Sequence, residues 1–130
     1  MKKGDIEMYG IFVNENGGIH YAAAIAAGIK PWETRNKNML AACVGHRVDV
    51  IRTHRGKRPV IIGQVDVTAA EFKTAEWLDN NRELTLVPPG SGYDCRGRGK
   101  WCYKLENAVA CAPLELPADV IRHGRSYCEY

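Results

Sequence analysis

The chain has 130 residues, of which 45% are hydrophobic and 25% charged, enough to close one core and unlike a disordered or fibrous protein. No apolar run approaches the ~20 residues of a membrane span, and no apolar segment follows the two N-terminal lysines as it would in a signal peptide. We therefore expect a single soluble domain over residues 1–130, located in the cytoplasm and without a membrane partner.

The net charge of +3 is small, but it is unevenly distributed along the chain. Residues 29–60 carry eight basic and two acidic side chains, whereas residues 61–94 carry two and six. A concentration of positive charge attracts anionic partners such as phosphates. For the basic segment 52–58, contact with RNA and an exposed turn between strands are alternatives of equal weight.

The first part of the chain predicts a strand followed by a short helix. Residues 8–13 are apolar and rich in β-formers, and the turn-forming cluster 14–18 ends them. Residues 19–27 are rich in alanine and contain no breaker before Gly28. Since glycine commonly follows the C-terminus of a helix, we predict a helix that ends there and packs closely on a sheet.

The middle of the chain predicts a hairpin and a second helix. Alternation over residues 47–53 and an apolar run over residues 60–68 indicate paired strands. Gly63 inside the second strand indicates a bulge or sharp bend of the kind that curls a sheet into a barrel. Residues 74–81 predict a short helix with Thr74 as its N-cap.

The last third predicts a long loop and a return to strand. Residues 84–99 are rich in proline and glycine, residues 100–110 read as a strand, and residues 125–130 are expected to close the sheet. Trp101 and Tyr103 lie two apart and share a face of the strand, for which we favour the core. About six strands with one or two short helices predict a mainly β (α+β) fold, a small β-barrel.

The five cysteines do not form a metal or redox motif. No Cys-x-x-Cys pair occurs, and no two of the four histidines have helical metal-ligand spacing. We expect reduced, mostly buried thiols, with neither a metal nor a cofactor. The cysteines are Cys43, Cys95, Cys102, Cys111 and Cys128.

The segment after the first helix carries the chemistry. Pro31 suits the second position of a β-turn over residues 30–33, which would bring Lys30 close to Glu33. Glu33 and Arg35, two apart on the following strand, would face the same side. A cation, a carboxylate and the neighbouring Trp32 ring would then converge beside a helix end. The alternative is an exposed ion network of little energetic consequence.

The pattern Gly-x-Lys-x-x-Glu-x-Arg at residues 28–35 resembles the signature of the ASCH (activating signal cointegrator homology) domain. Residues 45–50, 60–68 and 101–107 resemble strands of the same family in the same order. The resemblance implies a PUA-like β-barrel that binds RNA or a nucleotide in a cleft between helix and barrel. It also implies that Gly28, Lys30, Glu33 and Arg35 lie at that cleft.

Our leading hypothesis is therefore a binding protein for RNA or a nucleotide-like or nucleoside-like molecule. Lys30 and Arg35 would contact phosphate or a carbonyl group, Glu33 would accept hydrogen bonds from a base, and Trp32 would stack on it. A glycine-rich segment would extend the basic track through Arg96, Arg98 and Lys100.

The second hypothesis is a hydrolase acting on a modified nucleoside or on RNA. One branch of the family resembles amidohydrolases of N4-acetylcytidine, which use a lysine, a threonine and a distant glutamate. Lys30 matches the lysine, but Glu33 stands at the threonine position and Thr34 is expected to point to the opposite face. In this hypothesis Glu33 is the general base and Lys30 stabilises the oxyanion.

Two matters stay open at the level of sequence. The oligomeric state is not determined, and the distant glutamate has three candidates, which are Glu71, Glu76 and Glu83.

A third function class is a protein-interaction adaptor. It applies if the turn at residues 30–35 is flat and solvated.

Overall fold

The structure, a computed structural model, describes residues 8–15 and 18–130. The N-terminal lysine pair and residues 16–17 of the predicted turn cluster lie outside the described residues. The strands are β1 (Tyr9–Asn14), β2 (Trp32–Arg35), β3 (His46–Thr53), β4 (Val60–Lys73), β5 (Lys100–Glu115), β6 (Ile121–His123) and β7 (Tyr127–Glu129). The α-helices are α1 (Tyr21–Ala26), α2 (Ala75–Asn80) and α3 (Arg82–Thr85), and a 3-10 turn covers Ala41–Cys43.

The strands form one mixed sheet in the order β2-β5-β4-β3-β1-β7-β6. The β1–β3 pair is parallel and the other pairs are antiparallel. The mainly β class and the β3–β4 hairpin are confirmed. The described residues form seven strands instead of about six and three short α-helices instead of one or two, because β6 and α3 are too short to show a periodic pattern. No described helix is long and apolar enough to cross a membrane.

The sheet curls so that β2, at one edge, approaches β1, the fifth strand in sheet order. The Arg35 side chain of β2 donates a hydrogen bond to the Phe12 carbonyl of β1 at 2.7 Å. In a flat sheet these strands, four places apart, would be separated by about 19 Å. No strand ladder joins β2 to β1 in the described part of the chain. The expected barrel is thus open along this line, where an arginine bridges the strands.

Gly63 lies at an irregularity in the ladders on both sides of β4. The strand register shifts beside it in both the β3–β4 and β4–β5 ladders, which confirms the predicted bulge. A Cβ atom at this position would lie 2.8 Å from the Ala26 Cβ and 2.7 Å from the Val109 carbonyl oxygen. The alanine-rich helix α1 therefore packs directly on the bent sheet, as its small side chains indicate.

The end of α1 sets the course of the chain into the candidate site. Gly28 has φ +76°; its N–H donates to the Ile25 carbonyl at 3.0 Å, and the Ile29 N–H donates to the Ala24 carbonyl at 2.9 Å. This is a Schellman motif, which confirms the predicted helix end. The predicted β-turn over residues 30–33 is wrong. The chain is extended there, because Pro31 disfavours helical geometry before it and accepts a hydrogen bond from β5.

The remaining local predictions are largely confirmed. The Thr74 hydroxyl accepts the Trp77 N–H at 3.2 Å and caps α2. Tyr103 is fully buried, and Trp101 is half-buried against the same core cluster. All five cysteines are free; Cys111 is exposed and the other four are buried. The predicted loop 84–99 begins within α3 and otherwise contains no helix or strand.

Candidate functional site

A cavity of about 800 Å³ lies where the curled sheet is open. Its walls come from the C-terminal ends of β1, β2 and β3, the turn between β6 and β7, and the start of β5. Six lysine or arginine side chains line it, and among the described lining residues Glu33 is the single carboxylate. The volume lies in the range of small-molecule sites.

Lys30 is buried at the inner end of the cavity, with 1% of its side chain exposed. Its Nζ donates to the Trp32 carbonyl at 2.8 Å and to the Thr85 carbonyl, and lies 3.5 Å from Glu33 Oε1. An ammonium group has three donors, so each has a partner within the protein. Burial lowers the pKa of Lys30, although the Glu33 carboxylate acts in the opposite direction.

Glu33 lies between two cations. Its Oε2 accepts from Arg35 Nη2 at 3.0 Å, and its Oε1 accepts the Thr34 N–H at 3.1 Å and faces Lys30. Burial by itself raises the pKa of this carboxyl group. The charges of Arg35 and Lys30, with the two hydrogen bonds, outweigh burial and hold the pKa below its ordinary value. Glu33 is therefore an ionised, fixed acceptor at neutral pH.

Arg35 links the ion pair to the wall of the cavity. Besides Glu33 and the Phe12 carbonyl, it has a weak contact from Nη1 to the Met39 sulfur at 3.9 Å. The structure thus brings Lys30, Glu33 and Arg35 together. Strand alternation places Glu33 and Arg35 on one side of β2, and the long Lys30 side chain, instead of a β-turn, supplies the third charge.

Aromatic rings and a second buried lysine complete the inner wall. Tyr21 and Tyr93 pack edge to face with ring centroids 5.8 Å apart, and Lys30 Nζ lies 5.3 Å from the Tyr21 centroid. Lys100 is buried and donates to the Tyr93 carbonyl, and burial lowers its pKa. Because Tyr93 is 37% exposed, its ring offers apolar surface to a ligand.

The outer rim is formed by three exposed arginines, none of which was predicted individually as a ligand residue. Arg55 follows β3, Arg122 lies within β6, and Arg125 lies in the turn between β6 and β7. The Arg122 guanidinium lies 5.1 Å from the Phe12 ring centroid. Arg55 belongs to the basic segment 52–58. The only signal for the other two is a pair of arginines flanking Gly124 in a short turn.

Four of the eight predicted ligand residues line the cavity and four do not. Trp32 points away from the cavity, because it alternates with Glu33 along β2. Its ring packs edge to face on Trp77 at 5.5 Å, and Lys73 Nζ lies over both rings. The lining includes Lys30, Glu33, Arg35 and Lys100; Gly28, Trp32, Arg96 and Arg98 lie outside it.

Of the residues expected for the hydrolase, Lys30 and Glu33 lie together in the cavity, but the three candidates for the distant glutamate do not. Glu71 pairs with Lys73 at 3.1 Å, and Glu76 and Glu83 are exposed on α2 and α3. None of the three glutamates lines the cavity. Thr34, which we expected to turn away, does contribute to the lining.

One group of acidic and thiol side chains has metal-like spacing. Ligand atoms of Asp79, Asp94 and Cys95 lie within 4.8 Å of one another. Arg82 already supplies their positive charge, with Nη2 at 2.5 Å from Asp79 and 3.1 Å from Asp94. The Gly90 N–H, Arg82 and the Cys95 N–H lower the pKa of Asp94 to about 2. We interpret this group as a structural ion network that holds the loop after α3.

No protein-family model and no curated protein sequence matches this chain. The chain is similar to crystal structures of ASCH from Zymomonas mobilis. A serine-to-alanine variant matches with TM-score 0.64 and 18% identity over 82% of this chain and 74% of that one. The ASCH structure itself matches with TM-score 0.61 and 18% identity over 82% of this chain and 73% of that one. A tyrosine-to-phenylalanine variant matches with TM-score 0.60 and 17% identity over 82% of this chain and 76% of that one. With the sheet and cavity described above, this similarity shows that the chain has the fold of an ASCH domain.

Proposed function

We propose that the cavity binds a nucleotide-like ligand, either free or as one unit of single-stranded RNA. The observation that carries the proposal is the composition of the cavity wall: six cationic side chains, one oriented carboxylate and an exposed tyrosine ring surround about 800 Å³. Anionic, hydrogen-bonding and aromatic groups occur together in nucleotides. The ASCH fold is consistent with this ligand class.

The inner end of the cavity fits the polar edge of a nucleobase. Glu33 Oε1 is occupied by the Thr34 N–H and the facing Lys30 ammonium, whereas Oε2 accepts from Arg35 alone and keeps a lone pair for an amino or imino group of a base. Among the described residues Arg35 Nη1 contacts the weak Met39 sulfur acceptor alone, and it has a donor for a base carbonyl. Because the donors of Lys30 are occupied, we assign it the positioning of Glu33 instead of direct ligand contact.

The proposed stacking surface is Tyr93 instead of Trp32. Tyr93 is exposed at the cavity and supported from one side by Tyr21, whereas Trp32 is engaged with Trp77 on the other face of β2. Stacking of a base on an aromatic side chain contributes about 1–3 kcal/mol by alanine substitution.

The geometry favours binding over hydrolysis. A general base works best when its pKa lies near the working pH, but the pKa of Glu33 is held below its ordinary value. Lys30 has no spare donor for an oxyanion, and no second carboxylate lies among the described lining residues. A concave, charged cavity also argues against an adaptor that uses a flat surface.

Calorimetric titration of Tyr93→Ala and Tyr93→Phe tests the proposal. The ligands are the four ribonucleoside 5′-monophosphates and a six-nucleotide RNA. We expect Tyr93→Ala to lose about 5- to 150-fold in affinity for at least one of them, the equivalent of 1–3 kcal/mol. Tyr93→Phe keeps the ring and should bind like the wild type.

Two results would contradict the proposal. One is the absence of binding of all five ligands at millimolar concentration, and the other is equal affinity of the wild type and Tyr93→Ala. Chromatography of N4-acetylcytidine and RNA incubated with the protein tests the hydrolase hypothesis separately. Product that disappears with Glu33→Gln and persists with Glu83→Gln would establish catalysis in place of binding alone.

A further inference from the structure

We infer that the ligand carries a phosphate group held by the rim arginines, so that this cavity selects nucleotides over the corresponding nucleosides. The rim arginines are Arg55, Arg122 and Arg125. The inference rests on the proposed function. It identifies the part of the ligand that the outer half of the cavity recognises.

The rim arginines differ from most other arginines of the chain in their partners. Arg47, Arg52 and Arg82 each form an ion pair with an aspartate or a glutamate. No described carboxylate forms an ion pair with Arg55, Arg122 or Arg125, and the one carboxylate in the cavity is already bound by Arg35 and Lys30. Three cations around one opening repel each other, and an anion at that opening relieves the repulsion.

The local structure leaves the guanidinium groups accessible. The Arg122 guanidinium lies over the Phe12 ring, and no hydrogen bond joins it to another described residue. Gly124 between Arg122 and Arg125 has φ +59° and no atom within 4 Å of where a Cβ would be. A phosphate can therefore approach this turn. One guanidinium group can donate two parallel hydrogen bonds to two oxygens of a phosphate.

Burial fixes the orientation of the ligand. At the inner end, Lys30 is 1% and Arg35 14% exposed, and both are engaged with Glu33. A phosphate there would have to displace Lys30 from backbone carbonyls and lie next to a carboxylate. At the rim it meets solvent-exposed arginines that form no ion pair with a described carboxylate. The base thus lies inward and the phosphate outward, where an RNA chain can continue.

Paired titrations test the inference. Each ribonucleoside and its 5′- and 3′-monophosphates are titrated into the wild type, into the double variant Arg122→Gln/Arg125→Gln and into Arg96→Gln/Arg98→Gln. The last variant is a matched control, since it also removes two exposed arginines that flank a glycine, but it lies outside the cavity.

We expect the wild type to bind at least one monophosphate tenfold or more tightly than its nucleoside. The rim variant should lose that tenfold preference, because it lacks two of the guanidinium groups that would form charge-assisted hydrogen bonds with the phosphate. The control should keep the preference within twofold, and nucleoside affinity should change less than twofold in every variant. If the double variant does not fold, Arg55→Gln on the other turn is expected to reduce the preference at least threefold.

The outcomes separate this inference from the proposed function. Equal affinity of the wild type for nucleosides and monophosphates would overturn the phosphate site while the nucleoside site stands. A preference that survives loss of the rim arginines, or that is lost equally in the control, would also overturn it. Failure of every ligand to bind would overturn both.

Discussion

Replacement of Glu33 by glutamine is expected to destabilise the protein strongly although it changes the shape of the side chain very little. The Glu33 side chain is 9% exposed and lies 3.0 Å from Arg35 and 3.5 Å from Lys30. Glutamine removes the negative charge and leaves the buried Lys30 and the largely buried Arg35 without a counter-charge. Breaking a buried ion pair by removing one partner costs about 3–5 kcal/mol.

The lower end of that range applies here, because Arg35 keeps its hydrogen bond to the Phe12 carbonyl and is 14% exposed. We expect a loss of about 3 kcal/mol in the free energy of unfolding, which for a domain of this size lowers Tm by roughly 10 °C. The effect depends on pH in a defined direction. The pKa of Glu33 is lower in the folded state than its ordinary value of 4.5. Its stabilisation is therefore complete above pH 4.5 and is lost as the pH falls through the folded-state pKa.

Urea unfolding followed by circular dichroism measures this effect in the wild type, in Glu33→Gln and in Glu83→Gln, an exposed control outside the cavity. The difference in free energy of unfolding between the wild type and Glu33→Gln should be constant between pH 7.5 and 5.5 and should become smaller below pH 4.5. A difference in free energy of unfolding under about 0.5 kcal/mol at pH 7.5 would refute the reasoning, because removal of a buried carboxylate between two cations should destabilise the protein by much more. A deficit that does not narrow in acid would refute the assignment to ionised Glu33.

Two further predictions concern packing and thiol chemistry. Gly63→Ala should lower the free energy of unfolding in urea by about 1–3 kcal/mol, because the added methyl group overlaps Ala26 and Val109; an unchanged urea midpoint would contradict it. Iodoacetamide should modify one of the five thiols in the native protein, Cys111. Burial raises the pKa of Cys43 to about 12, so mass spectrometry showing native alkylation of Cys43 would contradict the described burial.

The sequence predicts the site best where the determining interactions are local. Strand alternation is a property of the backbone, so it correctly places Glu33 and Arg35 on one side of β2. The same alternation puts Trp32 on the other side, yet the choice of which side faces the cavity depends on Trp77, far along the chain. The β-turn prediction failed because Pro31 enters the ladder with β5 directly, a partner that no local rule identifies.

The amino-acid sequence by itself determined the mainly β class, the β3–β4 hairpin, the bulge at Gly63 and the end of α1 at Gly28. Each depends on residues that are neighbours along the chain and on the dihedral angles they allow. Only the tertiary structure decided which further cations join Lys30, Arg35 and Lys100 around the cavity. The curl of the sheet brings Arg122 and Arg125 to the same opening as residues 33–35, and contacts between segments so far apart follow from the packing of the whole sheet.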